Sequence, residues 1–151
     1  MIWTELTKTA YDIACKAHRG QSDRGGNPYI IHPCTLAAQM PDEEATTAAL
    51  LHDVLEDSDI TPENLAEYGI PDHIIKTIIL LSRNHWPNLS YMEYIQNLRQ
   101  SPTAITVKTA DLRHNLDLSR LNHEPTEQDR NLRRRYQKAL DLLQPNTQLP
   151  K

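Results

Sequence analysis

Apolar residues recur at three- and four-residue intervals along most of the chain. The N-terminal segment shows this pattern with apolar side chains at Trp3, Leu6, Ala10, Ile13, Ala14 and Ala17. The spacing places these side chains on one face of an amphipathic helix, which we expect to end before Gly20. No segment between turn signals shows the sustained alternation of apolar and polar residues that is typical of a half-buried strand. The pattern therefore predicts an all-α fold.

Proline, capping residues and acids predict where the other helices begin. Thr61 and Ser101 each precede a proline, which is the arrangement of an N-cap followed by proline at the first helical position. The acids of residues 42–44 suit the positive end of a helix dipole, and Pro33 fits a helix only in its first turn. The helices predicted after the first span 29–40, 41–57, 62–68, 72–81, 90–98, 102–118 and 126–143.

The segment "GQSDRGGNP" (20–28) separates the first two predicted helices and holds three of the four glycines of the protein. Glycine adopts backbone conformations closed to other residues, and it allows another group to approach the chain closely. The segment therefore predicts a loop with unusual backbone conformations or a close approach to a ligand.

Length and hydropathy favour one domain without a membrane span. A chain of 151 residues can bury a core without disulfides or a structural metal, and we predict one domain over 1–143 with a loose tail over 144–151. The longest apolar run, "IIKTIILL", is interrupted by Lys76 and is much shorter than the roughly 20 residues of a membrane helix. The N-terminus lacks the features of a secretory signal, so we expect a soluble, cytoplasmic protein.

Cysteine usage and charge exclude further classes. Cys15 and Cys34 lack CxxC spacing and lie in apolar-patterned segments, so we expect buried, reduced thiols rather than a disulfide. The net charge of −4 argues against a broad nucleic-acid-binding surface. The arginine-rich run "RNLRRRY" (130–136) is typical of a solvated helix face. The oligomeric state stays undetermined by the sequence.

The stretch "AALLHDVLEDS" (48–58) combines apolar flanks with four ionisable residues. On a continuous helix, residues four apart share a face, so His52 with Glu56 and Asp53 with Asp57 form two adjacent rows. Clustered carboxylates repel one another and are costly to bury unless a cation neutralises them. The stretch therefore indicates either a divalent metal site or the solvated, frayed end of a helix, and taken alone it does not distinguish the two.

Two other segments favour the metal site. His32 in "PYIIHP" and Asp111 in "VKTADLRHN" are ionisable residues within apolar, helix-patterned stretches. With the histidine–aspartate pair described above, they complete a set of two imidazoles and two carboxylates, which suits a divalent ion with room for water. The spacing of Lys108, Asp111 and Asn115 places a cation and an amide beside this ligand. His114, three residues after Asp111, could reach the edge of the pocket, but we expect it to lie on the helix surface.

At these residues the chain resembles a known family. "AHRGQ", "PYIIHP", "AALLHDVLEDS" and "VKTADLRHNL" occur in the order and approximate spacing of the HD-domain metal-dependent phosphohydrolases. From about Ala14 to Leu121 the sequence is similar to the hydrolase domain of the RelA/SpoT family and its small alarmone hydrolases. The resemblance implies a single HD-domain helical bundle and a phosphorylated nucleotide as substrate. The family reaction removes pyrophosphate from the 3′ position of guanosine tetra- or pentaphosphate.

The resemblance also implies roles for individual residues. One manganese ion is held by the residues that match His32, His52, Asp53 and Asp111. The pair that matches Glu56 and Asp57 handles the attacking water. We expect substrate contacts from Arg24, Lys108, Asn115, Arg133 and Tyr136, of which the last two match positions on the final helix of the family.

Two departures from the family pattern bear on the substrate. Family members usually have two adjacent basic residues after the "HxGQ" block, whereas this chain has Asp23 and Arg24. Arg24 remains able to stack on a base or hold a phosphate, while Asp23 would oppose a highly charged alarmone. The segment 82–102 is shorter than in full alarmone hydrolases, and Trp86 and Tyr91 either fill the missing pocket wall or anchor the loop.

Three functions from different classes are consistent with the sequence. The first is a manganese-dependent pyrophosphohydrolase acting on an alarmone or a similar purine nucleotide. The second is an HD-type nucleoside monophosphate phosphatase, which needs fewer phosphate contacts and would tolerate Asp23. The third is a non-catalytic nucleotide-binding module, against which the presence of every metal and acid position argues.

Overall fold

The structure of the protein, a computed structural model, describes residues 1–144. Within that range the chain forms nine α-helices and no β-strand, which confirms the predicted all-α class. The helices are α1 (Glu5–Ala17), α2 (Ile31–Ala37), α3 (Glu43–Leu51), α4 (Val54–Asp57), α5 (Pro62–Glu67), α6 (Asp72–Leu81), α7 (Tyr91–Asn97), α8 (Pro102–Leu116) and α9 (Glu127–Leu143). Short 3₁₀ turns occur at Arg83–His85, Leu98–Gln100 and Leu118–Arg120. The tail predicted over 144–151 lies, except for Gln144, outside the described residues, so its boundary stays a prediction.

Capping side chains start several helices close to the predicted positions. Thr61 and Ser101 each accept a hydrogen bond from the backbone N–H three residues later, and a proline follows each of them. Asp42 caps α3 in the same way. Pro33 lies in the first turn of α2, where a missing N–H is tolerated. The predicted starts of α5 and α8 are therefore correct, because local side-chain hydrogen bonds determine them. The start of α6 after Pro71 is also correct, although no side-chain hydrogen bond caps that helix.

The prediction of a single helix over 41–57 is wrong, because the helix is interrupted at His52 and Asp53. The helix α3 ends at Leu51, and Asp53 adopts φ −104° and ψ −2°, in the sparsely populated region between helix and strand. The His52 Nδ1 contacts the Ala49 carbonyl oxygen at 2.7 Å and so competes for a group that a continuous helix offers to the backbone N–H of Asp53. A separate short helix, α4, follows.

The helix α3 forms the centre of the core. All of its residues from Ala45 to Leu51 are buried, as expected for a helix that is covered on every side. It packs against α1, α2, α6 and α8, while α9 covers α7 and α8. The end of α3, where the ionisable residues begin, is therefore held by apolar packing from several directions.

Two further predictions concern the described residues. Within 1–144, no helix has both the length and the apolar composition needed to cross a membrane. Cys15 and Cys34 are free thiols, as predicted, but both are half-buried rather than buried. Burial raises the pKa of the Cys34 thiol, which keeps it protonated.

Candidate metal centre and flanking clefts

The four predicted metal ligands come from three packed segments. His32 lies in α2, His52 and Asp53 form the break between α3 and α4, and Asp111 lies in α8. Since α2, α3 and α8 all pack against one another, the fold brings these side chains to one place. The two histidines and Asp111 are buried, and Asp53 is half-buried.

The ligand atoms surround one point. His32 Nε2 lies 2.9 Å from Asp111 Oδ1, and His52 Nε2 lies 2.9 Å from Asp53 Oδ2. The two remaining nitrogen–oxygen separations are 3.9 Å, from His32 to Asp53, and 3.7 Å, from His52 to Asp111. Two ligands about 2.1 Å from a shared ion lie roughly 3.0–3.4 Å apart at octahedral or tetrahedral angles. The four atoms therefore fit the first coordination shell of a divalent cation after small adjustments.

The hydrogen bonding of His52 supports this fit. Its Nδ1–H donates to the Ala49 carbonyl oxygen at 2.7 Å, so Nε2 is the nitrogen that faces the ligand cluster. Nε2 is buried and has no hydrogen-bond partner of acceptable geometry in the structure, although Asp53 is close. Burial opposes protonation of His52, but the Asp53 and Asp111 carboxylates outweigh it and raise the pKa of His52 well above its usual value. A cation bound here would take the place of the proton on Nε2, as expected of a metal-ligating histidine.

Asp111 is surrounded by donors. Lys108 Nζ donates to Oδ2 at 2.8 Å, and Asn115 Nδ2 donates to Oδ1 at 3.1 Å. Although burial opposes ionisation, Lys108 and the neighbouring histidines hold the pKa of Asp111 well below its usual range. We predicted Lys108 and Asn115 as substrate contacts. Both are hydrogen-bonded to Asp111, and both also line an adjacent cleft, so substrate contact by either stays a prediction.

Asp53 has a partner that sequence reasoning missed. The Tyr29 hydroxyl donates to Asp53 Oδ2. Burial opposes ionisation of Asp53, but the adjacent His52 outweighs it and holds the pKa of Asp53 at about 2. The sequence contained a signal for a role of Tyr29 in this site. Tyr29 belongs to the same "PYIIHP" block as the predicted ligand His32 and stands three residues before it.

Glu56 and Asp57 lie at the edge of the ligand cluster. The break in the helix means that they do not continue the rows of α3, and both side chains are exposed. Glu56 Oε1 accepts the backbone N–H of Arg83, which holds the carboxylate against the following turn. Partial desolvation and the nearby Asp53 carboxylate raise the pKa of both Glu56 and Asp57. Each is therefore a better proton acceptor than an ordinary carboxylate.

His114 departs from the expectation of a surface histidine. Its ring is half-buried, and its Nδ1 lies 2.6 Å from Nδ1 of His32. Desolvation and the positive charge of Arg120 lower the pKa of His114 to about 4, so the ring is neutral at physiological pH. The sequence offered one signal for this position, because His114 follows the predicted ligand Asp111 by three residues and so shares its helix face. The partner could not be predicted, since 82 positions separate the two histidines.

Two clefts adjoin the ligand cluster, and they share Tyr29, Asn115 and Tyr136. The loop cleft, of about 300 Å³, is lined by residues of the glycine-rich loop, the 117–121 turn and α9, including Ser22, Asp23, Arg24, Gly25, Arg120, Asp129 and Arg133. The tyrosine cleft, of about 210 Å³, is lined on its other sides by Asp53, Glu56, Leu81, Arg83, Tyr91, Tyr94, Lys108, Asp111 and Arg135. The metal ligands thus lie between two cavities, each of which contains arginine side chains.

The charged residues of the glycine-rich loop form ion pairs across the loop cleft. Asp23 accepts the backbone N–H groups of Gly25 and Asn27 at 2.8 and 2.9 Å, and it lies 3.4 Å from Arg120. Its side chain is only 9% exposed. The expectation that Asp23 opposes a charged ligand stays a prediction, since its carboxylate lines the loop cleft but is paired with Arg120.

Arg24 is paired with Asp129, whose side chain is buried, while half of the arginine side chain stays exposed to the cleft. Gly25 provides the close approach predicted for this segment, but to the protein itself. A Cβ at that position would collide with the backbone oxygen of Arg120. The loop is thus attached directly to the turn between α8 and α9.

The remaining aromatic and basic predictions fall on the cleft walls. Arg133 and Tyr136 line the loop cleft from α9, and their contact with a substrate stays a prediction. Trp86 anchors its loop by donating from Nε1 to the Ile79 carbonyl oxygen at 3.0 Å. Tyr91 lies in the wall of the tyrosine cleft, with the Arg135 guanidinium 3.7 Å from its ring centroid.

Comparisons with known proteins agree with this architecture. No family model matches the chain. It is 49% identical over 70 residues to a guanosine-3′,5′-bis(diphosphate) 3′-pyrophosphohydrolase of Vibrio cholerae, which covers 43% of this chain and 10% of the relative. It is also 31% identical over 156 residues to a GTP pyrophosphokinase of Myxococcus xanthus. That match covers 93% of this chain and 20% of the relative. The chain thus spans about a tenth to a fifth of the length of these curated relatives.

A solved structure gives a match along nearly the whole length. It is described as a metazoan ortholog of SpoT that hydrolyzes ppGpp and plays a role in starvation responses. The two structures superpose with a TM-score of 0.76 at 25% sequence identity. The match covers 97% of this chain and 90% of the other.

Proposed function

We propose, from the premise that this chain belongs to the RelA/SpoT type of HD-domain hydrolases, that it removes pyrophosphate from the 3′ position of guanosine tetra- or pentaphosphate. The observation that carries the proposal is the convergence of two histidines and two aspartates at the junction of two clefts. A carboxylate that is not among these ligands, Glu56, stands at the same junction.

The ligand set supports a divalent cation, and we propose manganese. His32 and His52 offer nitrogen, and Asp53 and Asp111 offer oxygen, a mixed set that suits borderline and harder divalent ions. When bound, such a cation lowers the pKa of water and offsets the negative charge on phosphate oxygens. Lys108 remains paired with Asp111 and keeps that ligand ionised.

We assign proton handling to the two carboxylates at the edge of the cluster. Glu56 accepts the proton of the attacking water, and Asp57 assists in orienting that water. Support comes from the raised pKa of each carboxyl group and from the position of Glu56 in the wall of the tyrosine cleft. The backbone N–H of Arg83 fixes the Glu56 carboxylate during this step.

The clefts provide room for the two parts of an alarmone. We place the nucleoside in the loop cleft, beside Arg24, Arg133 and Tyr136, and the 3′-diphosphate at the junction. The water oxygen forms a bond to the phosphorus attached to O3′, and the bond between that phosphorus and O3′ breaks. The ribose oxygen takes up a proton from solvent, Glu56 returns its proton to solvent, and pyrophosphate leaves. The arginines of the tyrosine cleft, Arg83 and Arg135, favour the departing anion.

The alternative of a nucleoside monophosphate phosphatase has less support than the sequence indicated. Its argument depended on Asp23 repelling a polyphosphate, and Asp23 is instead paired with Arg120. A non-catalytic binding module gives no reason for Glu56 to stand beside a full ligand set.

A turnover experiment tests the proposal. Metal-free protein is supplied with manganese and offered guanosine tetraphosphate or guanosine monophosphate, and both orthophosphate and pyrophosphate are measured. We expect pyrophosphate from the tetraphosphate only, and no product from the Asp53→Ala variant. Release of orthophosphate from the monophosphate without any pyrophosphate would favour the phosphatase. Manganese binding without any turnover would favour the binding module.

A further inference from the structure

The two histidines of the metal centre are held by different kinds of partner. His52 donates from Nδ1 to a backbone carbonyl, that of Ala49. The Nδ1 of His32 instead meets a side chain, the imidazole of His114, at 2.6 Å. We infer that His114 is a positioning residue for the metal ligand His32: its Nδ1 accepts the Nδ1–H of His32 and so directs the His32 Nε2 at the metal. The inference rests on the proposed metal site and does not depend on the substrate.

The geometry of the two rings is that of a direct hydrogen bond. Their planes differ by 11°, and their centroids are 4.9 Å apart. A 2.6 Å nitrogen–nitrogen contact plus the two ring radii accounts for that separation, so the rings meet edge to edge in nearly one plane. Face-to-face stacking does not produce this combination. An in-plane contact at this distance requires one nitrogen to carry the proton and the other to accept it.

The protonation pattern follows from what each nitrogen of His32 faces. Its Nε2 faces the ligand cluster, where a metal requires a lone pair. The proton of a neutral His32 then resides on Nδ1, and His114 accepts it with its own Nδ1. Metal-ligating histidines commonly donate their second ring N–H to a fixed acceptor, which sets the tautomer and orients the ring.

One helix holds both nitrogens of His32. Asp111 and His114 are three residues apart in α8 and so lie on the same face. Asp111 contacts the His32 Nε2 at 2.9 Å, and His114 contacts Nδ1 at 2.6 Å. Both nitrogens of the His32 ring are therefore contacted by side chains of α8. These two contacts prevent rotation of the His32 side chain about its χ angles.

His114 is itself held in place. Its backbone oxygen accepts a hydrogen bond from Arg120 Nη1 at 2.7 Å. Arg120 in turn is fixed by Asp23, and its own backbone lies against Gly25. The acceptor is thus preorganised in the protein before any metal binds.

Metal titration of three variants tests the inference. His114→Leu removes the acceptor at similar volume, His114→Asn keeps a polar atom near the position of Nδ1, and His85→Leu changes an exposed histidine outside the site. Calorimetry of metal-free protein with manganese should show a 10–100-fold weaker affinity for His114→Leu. We expect a change of a few-fold at most for His114→Asn and none for His85→Leu. Wild-type affinity in His114→Leu, or equal losses in the leucine and asparagine variants, would overturn the inference.

A spectroscopic measurement separates positioning from general loss of structure. In protein loaded with diamagnetic zinc, the Nδ1–H protons of His32 and His52 should both exchange slowly with solvent. The His52 proton, which bonds to a backbone carbonyl, serves as an internal reference for an intact fold. His114→Asn should retain both signals, and His114→Leu should lose the His32 signal alone. A retained His32 signal in His114→Leu would also overturn the inference, whether or not the protein hydrolyses guanosine tetraphosphate.

Discussion

The metal centre and the loop cleft lie side by side, yet different forces hold them. The metal ligands stand on α2, the α3–α4 break and α8, whose buried faces form the apolar core. The far wall of the loop cleft is instead held by two ion pairs, Arg24 with Asp129 and Asp23 with Arg120. Packed cores change position little when a surface residue is replaced, whereas an ion pair with one exposed partner depends on that side chain staying in one geometry. The chemistry is thus built on the rigid part of the molecule, and ligand selection on the adaptable part.

The largest effect should follow from removing Asp111. Asp111→Ala deletes a metal ligand and leaves the buried Lys108 ammonium without its partner. We expect loss of the metal and of turnover, and a fall in the free energy of unfolding of about 3–5 kcal/mol, typical of a broken buried ion pair. Metal analysis and chemical denaturation measure the two effects.

A surface pair of the same residue types provides the control. Asp72 and Lys76 are 3.2 Å apart on α6, with side chains 82% and 75% exposed. Asp72→Ala should cost well under about 1 kcal/mol and leave metal binding unchanged. Equal costs for the two aspartates would mean that Asp111 is not held in a buried pair.

The next effect concerns catalysis without loss of the metal. Glu56→Gln keeps an oxygen that can accept the Arg83 N–H but removes the proton acceptor. We expect kcat to fall by roughly 10²–10⁴-fold, as for a lost general base, with full metal content. Steady-state kinetics and metal analysis check this, with Glu67→Gln on the exposed side of α5 as control. An unchanged kcat would make Glu56 an ordinary surface acid.

Substitution in the loop cleft should act on substrate affinity and not on metal binding. Arg24→Ala removes a half-exposed guanidinium, and we expect kcat/KM for guanosine tetraphosphate to fall about 10–100-fold through KM, equivalent to roughly 1.5–3 kcal/mol. Metal affinity should not change, because Arg24 contacts none of the ligands. Arg130→Ala, an exposed arginine that donates to the Pro125 carbonyl, is the matched control. A loss of metal in Arg24→Ala would remove the distinction between the two regions.

The smallest effect is the coupling between Asp23 and Arg120. A double-mutant cycle of Asp23→Asn and Arg120→Ala should give about 0.2–1 kcal/mol in the free energy of unfolding. Asp23→Asn is chosen because its side-chain oxygen can still accept the N–H groups of Gly25 and Asn27. Asp23→Ala should cost more than Asp23→Asn, since both of those bonds are lost. Equal costs would show that the charge of Asp23, rather than its capping of the loop, holds this wall.

Helix positions were predictable from the sequence because local interactions determine them. The bounds predicted for α6, and the starts of α5 and α8, depend on a proline, a cap and an apolar repeat within a few residues. The break at Asp53 was not predictable in this way. The break depends on the His52 side chain, which is hydrogen-bonded to the Ala49 carbonyl oxygen. His52 in turn belongs to a site whose other members come from helices that are distant in the sequence.

The sequence by itself determined the helical class, the approximate helix bounds and the residue types able to hold a metal and move a proton. These properties follow from periodicity, capping and the chemistry of side chains, which are local. Only the tertiary structure decided that His114 contacts His32 and that Asp23 is paired with Arg120. Contacts across 82 and 97 positions depend on how the helices pack, and packing is settled by the whole core at once rather than by any short segment.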